Sequence, residues 1–422
     1  MSLYRSVVGR DPPAADRFAG LGVAAKNYEQ SFRDLYEHLG RRYPNFAMKG
    51  IDWKQVGAEL LPRAGAVKDD EQFGLLCMEL VARLQDSHAV VTPGTARPPE
   101  VRMPEWDVGF ACLIDDRDRP VVFNVVKGSP AEQAGVRPGA AVVSVNGRPA
   151  AELIADFMRK AGRYYGYSSD RTLRYDAARV FARQDDRGAK VKLVLEDPDG
   201  RQRGLELAAT VSGRRYTPRR PVPIPGSDDA ADVSWAKLGD GVGYLYVRRI
   251  KADLPESIDC ALRDLGDIRA LVIDVRGNSG GGFDAARAVR NFNPADNAEP
   301  DRPRFNGPIA LLIDERCISA GEGWASWFVA TKCAKLFGAT TAGASSRKES
   351  YTLTNGLYSV VVPVKAYTGS LDRPIERRGL EPDVAVRCNA RDLAAGIDTV
   401  LEAAKRALAE AVAKPAEGPT AK

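Results

Sequence analysis

Histidine is almost missing from this chain: His38 and His88 are the only two in 422 residues. Chemistry that needs an imidazole has two positions to choose from. Cysteine is sparse as well. The six, Cys77, Cys112, Cys260, Cys317, Cys333 and Cys388, show no CxxC spacing, which removes the ligand pattern of a zinc site and the framework of a small disulfide-held domain. No apolar run approaches the roughly 20 residues that a bilayer crossing takes. No dense Lys/Arg block with interleaved aromatics offers a nucleic-acid footprint, and basic and acidic residues nearly balance, 61 against 56. The expectation is therefore a protein with no membrane span and no nucleic-acid partner. Met1-Ser2-Leu3 runs into Arg5, Arg10 and Asp11 without the apolar stretch of a signal peptide. A soluble protein follows, periplasmic or secreted if an export signal belongs ahead of this start.

What is present is length and patterning enough for two or three cores. Phe32, Leu35, Tyr36, Leu39 and Tyr43 recur at helical spacing until Pro44 ends the pattern, and Phe73, Leu76, Cys77, Leu80, Val81 and Leu84 make a second apolar face behind Asp69-Asp70. Residues 1–95 are thus expected to form a helical domain ending in Gln85-Asp86-Ser87-His88 and a short strand. Ala96 to Pro104 reads as a Pro-rich linker. Strands and turns follow, with Val108-Gly109-Phe110, Val121 to Val126, and a segment from Gly128-Ser129-Pro130-Ala131 to Asn146-Gly147. That segment resembles a PDZ domain, with Ala140 where such domains usually carry an aspartate. The resemblance implies a peptide-binding domain over 101–212, interrupted by inserted helices between Ala151 and about Gly188. Val108, Gly109 and Phe110 would then be its peptide-binding carboxylate loop. Arg214 to Asp232 reads as a second linker. Beyond it, strands and helices alternate over 233–412, which argues for an α/β core, and Asn355-Gly356 marks a hairpin. The stretch from Lys414 to Pro419 is expected to fray.

Chemistry concentrates in two turns of that core. The apolar run Ile309 to Ile313 leads through Asp314-Glu315-Arg316-Cys317-Ile318 to Ser319, and Trp324, Trp327 and Phe328 then fall on one helix face. The Ser319 hydroxyl is expected at a helix N-terminus, where unpaired N–H groups favour developing negative charge. An ordinary N-cap serine fits the same pattern. The other turn, Arg276-Gly277-Asn278-Ser279-Gly280-Gly281-Gly282, follows the strand Ala270 to Val275 and precedes a helix expected from Phe283. It lacks GxGxxG and a Lys-Ser/Thr after its last glycine, so a phosphate loop is the poorer reading. An oxyanion hole fits better beside a serine at a helix start. A serine nucleophile needs a base. His38 lies among Glu37, Arg41 and Arg42 on a solvated helix face, which leaves His88, although a lone histidine at a helix end is more often structural.

In order along the chain, Asp86-Ser87-His88, the PDZ-like segment, Asp274 to Gly282, Ser319-Ala320-Gly321-Glu322 and Glu376-Arg377-Arg378-Gly379-Leu380-Glu381-Pro382-Asp383-Val384 resemble the tricorn and C-terminal processing peptidase family of serine proteases. The resemblance spans Phe32 to Val386. It implies an α/β multidomain protein with an N-terminal helical domain, a PDZ-like β domain with a helical insertion, and a crotonase-like (ClpP-like) catalytic core. It further implies a serine-type peptidase that cleaves peptide or unstructured protein substrates through an acyl-enzyme, with the PDZ domain recruiting them. By the same resemblance Ser319 is the nucleophile and His88 its base. Glu376 and Ser87 would fix the imidazole, with the N–H groups of Ala320 and the Gly280-Gly281 turn holding the oxyanion. No metal or organic cofactor is implied. The tricorn-like tetrad is favoured because Thr340-Thr341-Ala342-Gly343-Ala344 has alanine where the processing branch carries its lysine. Two rivals remain, a serine–lysine dyad using Lys348 and a peptide-binding scaffold without turnover. An α/β-hydrolase esterase is disfavoured, since Cys317-Ile318-Ser319-Ala320-Gly321 is not Gly-x-Ser-x-Gly and the order His88, Ser319, Glu376 is wrong for that fold. Histidine needs little tuning to act as a base, so kcat/KM is expected to rise through an ionisation at roughly 6 to 7.5.

Overall fold

In the computed structural model, residues 27–92, 103–213, 220–282, 285–293 and 301–413 are described. Most of the Ala96 to Pro104 linker, the start of the chain and the stretch after Ala413 lie outside them. The N-terminal part is helical: α1 (Tyr28–Arg42), α2 (Phe46–Lys49), α3 (Trp53–Leu60) and α4 (Asp70–Ala82). Asp69 caps α4 by accepting from the Gln72 N–H, which satisfies one of the donors a helix start leaves free. A tight turn then carries the chain into β1 (Val90–Thr92).

The PDZ-like part follows as β2 (Trp106–Asp107), β3 (Phe110–Ile114), β4 (Pro120–Val125), α5 (Pro130–Gln133), β5 (Ala141–Val145), β6 (Arg148–Pro149), helices α6 (Ala150–Tyr164) and α7 (Asp170–Ala178), β7 (Lys190–Glu196), β8 (Gln202–Ala208) and β9 (Val211–Ser212). Its sheet runs β3-β4-β5-β7-β8. Asn146 and Gly147, both at positive φ, make the tight turn from β5 to β6. The Val191, Leu193 and Leu195 side of β7 faces the small core with Val122, Val142 and Ile154.

The third part holds β10 (Val233–Lys237), β11 (Val242–Val247), α8 (Leu254–Leu265), β12 (Ala270–Asp274), β13 (Ile309–Ile313), α9 (Ala320–Thr331), β14 (Ala334–Gly338), β15 (Ser346–Thr352), β16 (Ser359–Ala366), β17 (Val384–Ala385), α10 (Ala390–Ala394) and α11 (Thr399–Ala413). Its six-stranded sheet has the order β10-β11-β12-β13-β14-β17, parallel from β11 onward. Side chains alternate between two cores, as the pleat requires. Leu245, Leu271, Ile273, Leu311 and Ile313 pack with α8 and α9 on one face. Tyr244, Tyr246, Val272, Ala310 and Leu312 pack with α11 on the other. Both faces are covered, which is why these strands read as unbroken apolar runs.

Three sequence expectations change here. The N-terminal helices do not close a core of their own: Phe32, Leu35, Phe73 and Leu80 pack with Leu353, Val360 and Val362, and β1 pairs antiparallel with β16. A segment of about 65 residues buries too little surface alone, and the β15–β16 hairpin supplies the missing face. The described part of the second linker, residues 220–232, is pinned to the third part of the chain. Arg220 is buried over the Tyr246 ring and donates to Asp229 and Ser227. The helix expected from Phe283 starts outside the described residues, and Ala285–Phe292 is 3-10.

Candidate active site

Ser319 sits where β13 turns into α9, at φ +57° and ψ −126°. A side chain with a Cβ pays about 1–3 kcal/mol to stay in such a region, so the surrounding turn has to hold it there. It is well held. The Asp314 carboxylate accepts the N–H groups of Gly277, Arg316 and Cys317. Ile318 N–H donates to the Asn278 carbonyl and Ser319 N–H to the Ala344 carbonyl. The N-cap alternative fails on geometry, because the Ser319 hydroxyl makes no capping hydrogen bond. Instead its Oγ lies 3.1 Å from His88 Nε2.

His88 arrives from the opposite end of the chain on the turn between α4 and β1. The Asp86 carboxylate accepts the His88 N–H at 2.9 Å, and the Ala89 N–H donates to the Asp86 carbonyl at 3.0 Å, which fixes the turn. Gly166, from the segment between α6 and α7, packs directly on the Asp86 backbone, where a Cβ would meet the carbonyl oxygen at 2.6 Å. The imidazole is fully buried. Burial, with the Lys348 charge next in size, lowers its pKa to about 4, against a raising influence from Asp86. A neutral imidazole that accepts at Nε2 carries its proton on Nδ1, and that buried atom has no hydrogen-bond partner. His38 lies elsewhere, stacked on the Tyr351 ring at 3.9 Å.

Glu376 is brought close, but it does not bond Nδ1. Its Oε1 accepts from Lys49 Nζ at 2.7 Å and its Oε2 from the Ser345 N–H at 3.1 Å. Burial, then the neighbouring Asp86, push its pKa up to about 8, while Lys49 and a Ser168 hydroxyl bond pull the other way. Ser87 is not on the imidazole either. Its Oγ accepts the Ser168 N–H and its own N–H donates to Ser168 Oγ, each at 3.0 Å. The reason is the α6–α7 insertion, which places Ser168 between Ser87 and Glu376.

Of the three N–H groups expected around the oxyanion, that of Gly280 is already donated to Asn278 Oδ1 at 2.8 Å. Gly280 has φ +76°, and a Cβ there would lie 2.7 Å from Ser319 Cβ, so only glycine fits the turn against the serine. Gly281 is exposed beside it. Ala320 N–H opens α9, a position at which the helix itself provides no acceptor.

Sequence reasoning missed several residues that build the site. Lys49 has a wholly buried side chain paired with both Asp86, at 3.4 Å, and Glu376. Before the fold is known, a lysine ending a four-residue helix reads as a surface charge complementing the helix dipole. Ser168 precedes Ser169, the N-cap position of α7, and locally reads as one more polar residue of that turn. Glu322, quoted only as part of a motif, is fully buried and accepts from Thr341 Oγ1, Ser345 Oγ and the N–H groups of Gly343 and Ala344. It thereby fixes the strand-like segment whose Ala344 carbonyl holds Ser319.

Among the described residues, Asp86, His88 and Glu376 could gather around a metal ion, with donor atoms within 4.8 Å of one another. The Lys49 ammonium already stands between the two carboxylates and supplies the cation they need.

The expected carboxylate loop is closed in this structure. Val108 and Phe110 are buried, and the Gly109 N–H donates to Asp107 Oδ1 at 2.6 Å. The space bounded by Asp107, Phe110, Arg179 and Arg183 is only about 10 Å³, about enough for a single water. Residues Ala177, Ala178, Phe181 and Ala182 pack into the same small core as Val108 and Phe110, so the insertion itself fills the place beside the loop.

The chain matches Peptidase family S41 over residues 241–386, the Tricorn protease C1 domain over 24–82 and a PDZ domain over 121–157. A tricorn protease homolog of Streptomyces coelicolor is 25% identical over 400 residues, covering 89% of this chain and 32% of that protein. Carboxy-terminal processing protease CtpB of Bacillus subtilis is 22% identical, covering 63% of this chain and 52% of that protein. The chain therefore spans about a third of the first relative and about half of the second. Carboxyl-terminal-processing peptidase 2 of Arabidopsis thaliana is 22% identical, over 90% of this chain and 71% of its own length. The crystal structure of mature CPAF shares the fold, with a TM-score of 0.64 at 14% identity, over 91% of this chain and 96% of that one.

Proposed function

We propose that this chain, a member of the tricorn and C-terminal processing peptidase family, hydrolyses peptide or unstructured protein substrates with Ser319 as nucleophile and His88 as base. The observation that carries the reading is the 3.1 Å approach of Ser319 Oγ to His88 Nε2, made by a serine in a strained turn at a helix start. Proton transfer to Nε2 lets the Oγ lone pair attack the scissile carbonyl carbon. The tetrahedral oxyanion forms next to the Ala320 N–H and the Gly281 backbone, and its collapse expels the amine, which takes the proton back from Nε2. Water repeats the sequence on the acyl-enzyme. Asp86 and Glu376 stand beside the ring as the carboxyl groups an imidazolium would face, and Ser87 acts through Ser168 by holding the insertion against them.

No metal is assigned to these steps, and none of the residues named requires one. Recruitment by the PDZ-like domain through Val108, Gly109 and Phe110 would require residues 179–184 to move off the loop. The test is covalent: a fluorophosphonate probe should label Ser319 in the wild-type protein and fail on folded His88→Ala. A folded wild-type protein that neither labels nor cleaves casein would leave the scaffold reading standing instead.

A further inference from the structure

Lys49 and Glu376 are 327 positions apart, yet their side chains meet at 2.7 Å with no solvent contact on the lysine. Placing an ammonium there is costly unless it is fully paired. It is paired on every side. Lys49 Nζ also donates to the Gln85 carbonyl at 2.6 Å and the Leu84 carbonyl at 3.4 Å, and it reaches Asp86 Oδ2 at 3.4 Å. Those carbonyls belong to the turn that carries His88, and Asp86 is the residue that fixes that turn. A lysine serving only to tie the N-terminal helices to the 376 loop would need Glu376 alone. This one contacts both carboxylates that lie beside the imidazole, Asp86 and Glu376.

The demand on those carboxylates is set by the reaction. When Ser319 loses its proton, His88 becomes an imidazolium whose Nδ1–H is buried, and that proton has no acceptor in the resting structure. Two buried carboxylates a few ångströms apart repel each other, so at neutral pH one of them tends to keep a proton and be useless as an anion. A buried cation between them changes that balance. We propose that Lys49 is a positioning residue for acyl transfer, which holds Glu376 beside His88 and makes its carboxylate form accessible when the imidazolium appears. The inference rests on the peptidase reading above.

The groups around the cluster come from every neighbouring element. Tyr43, after α1, donates to Asp86 Oδ2 at 3.0 Å. Arg377, next to Glu376, donates to the Lys49 carbonyl. Arg171 of α7 acts on Glu376 through space, and Lys348 of β15 acts on His88. Lys49 touches Glu376 and Asp86 directly, so its loss should be felt first at the carboxylates. Both its charge and its hydrogen bond lower the Glu376 pKa, which already lies at about 8, and removing it must move that ionisation upward.

The experiment measures kcat and KM against pH for wild type, Lys49→Gln and Lys49→Arg, with the Glu376 carboxyl titrated in parallel by carbon NMR. Lys49→Gln keeps a donor and loses the charge. It should displace the rising limb of kcat/KM upward by about one pH unit or more, lower kcat at pH 7 at least tenfold, and leave KM within about threefold. Lys49→Arg should keep the limb in place. A limb unmoved by folded Lys49→Gln, or displaced as far by Lys49→Arg, overturns the proposal and makes Lys49 a structural tie. If Lys49→Gln does not fold, Lys49→Arg and the wild-type titration decide: Glu376 must titrate in step with the activity limb in both. The carboxyl titration reads the charge effect even in a protein that cleaves nothing, and loss of Ser319-dependent hydrolysis in the wild type would sink the peptidase reading alone.

Discussion

Among the described residues, two of the buried charge clusters differ in one respect. In the sheet, Arg276 donates to both oxygens of Asp274 and both oxygens of Asp398, Tyr244 adds its hydroxyl to Asp274 Oδ2 at 2.7 Å, and Asp398 Oδ1 also accepts the N–H groups opening α11. Each carboxylate oxygen there is used, and the two acids hold the Arg276 guanidinium far up its range despite burial. At the active site, Lys49, Asp86 and Glu376 are equally buried, but the His88 Nδ1 next to them is left without a partner. A satisfied cluster has no reason to change. The unsatisfied one lacks a single bond that the reaction would complete, and leaving a buried donor unpaired costs about 1–3 kcal/mol in the resting state. Burial and charge are common to both, so neither distinguishes the cluster proposed as catalytic; between these two, the unpartnered His88 Nδ1 does.

The largest effect should come from the reacting pair. Ser319→Ala and His88→Ala are each expected to lower kcat by about four to six orders of magnitude, with the melting temperature of Ser319→Ala within a few degrees of wild type. Steady-state hydrolysis of casein and a thermal melt check both. Near-wild-type turnover by folded Ser319→Ala would end the comparison, since the unsatisfied cluster would then serve nothing.

The satisfied cluster should answer with stability. Arg276→Met leaves Asp274 and Asp398 buried and uncompensated, and breaking one partner of a buried pair typically costs about 3–5 kcal/mol. Denaturant midpoints should show that loss, while any residual folded fraction keeps its serine labelling. A variant that stays as stable as wild type but loses labelling would mean the two clusters have been assigned the wrong way round.

The sequence carried most of the architecture and the pair that the fold brings together, Ser319 and His88, for identifiable reasons. Short unbroken apolar runs bounded by turn residues, such as Ile309 to Ile313, fit strands buried on both faces, and the turn residues around Asn146-Gly147 and Asn355-Gly356 have few alternatives. Ser319 and His88 are named by the order of motifs resembling the peptidase family, in a chain whose two histidines leave little else to choose from. Contacts between distant segments were not legible. Nothing local says that Leu353 and Val360 complete the core of helices more than 260 positions earlier, that Ser168 of an insertion will take the hydroxyl of Ser87, or that Lys49 is a buried cation. Those facts depend on where the 150–189 insertion and the β15–β16 hairpin lie once folded.

A third, smaller effect concerns pH. With His88 lowered to about 4 and Glu376 raised to about 8, the imidazole is already a free base at pH 6, and the group still to ionise is the carboxyl. The rising limb of kcat/KM should therefore sit nearer 8 than the 6 to 7.5 expected of an ordinary histidine. Glu376→Gln should flatten the limb and reduce the plateau by roughly ten- to a hundredfold, as the imidazolium loses an anion. A wild-type limb near 6.5 that survives in Glu376→Gln would assign the ionisation to His88 and remove Glu376 from the chemistry.

The smallest effect is expected at Lys348, and it separates the two mechanisms the family resemblance left open. Lys348 is an exposed residue of β15, yet the protein packed along its chain lowers the ammonium below its usual range. Such a lysine could in principle serve as a base. Its charge also depresses His88, second only to burial, so replacing it should let the imidazole pKa rise toward the ordinary value of about 6.5. Raised or not, that ionisation lies below the Glu376 limb, and a more basic imidazole accepts the Ser319 proton no less readily. Lys348→Ala is therefore expected to retain activity within about threefold at pH 8, with the His88 ring signal in NMR titrating at higher pH than in wild type. A serine–lysine dyad requires the reverse, a loss of several orders of magnitude in Lys348→Ala with His88→Ala close to wild type. That pattern would turn the unpartnered Nδ1 into a packing defect and leave both buried clusters structural.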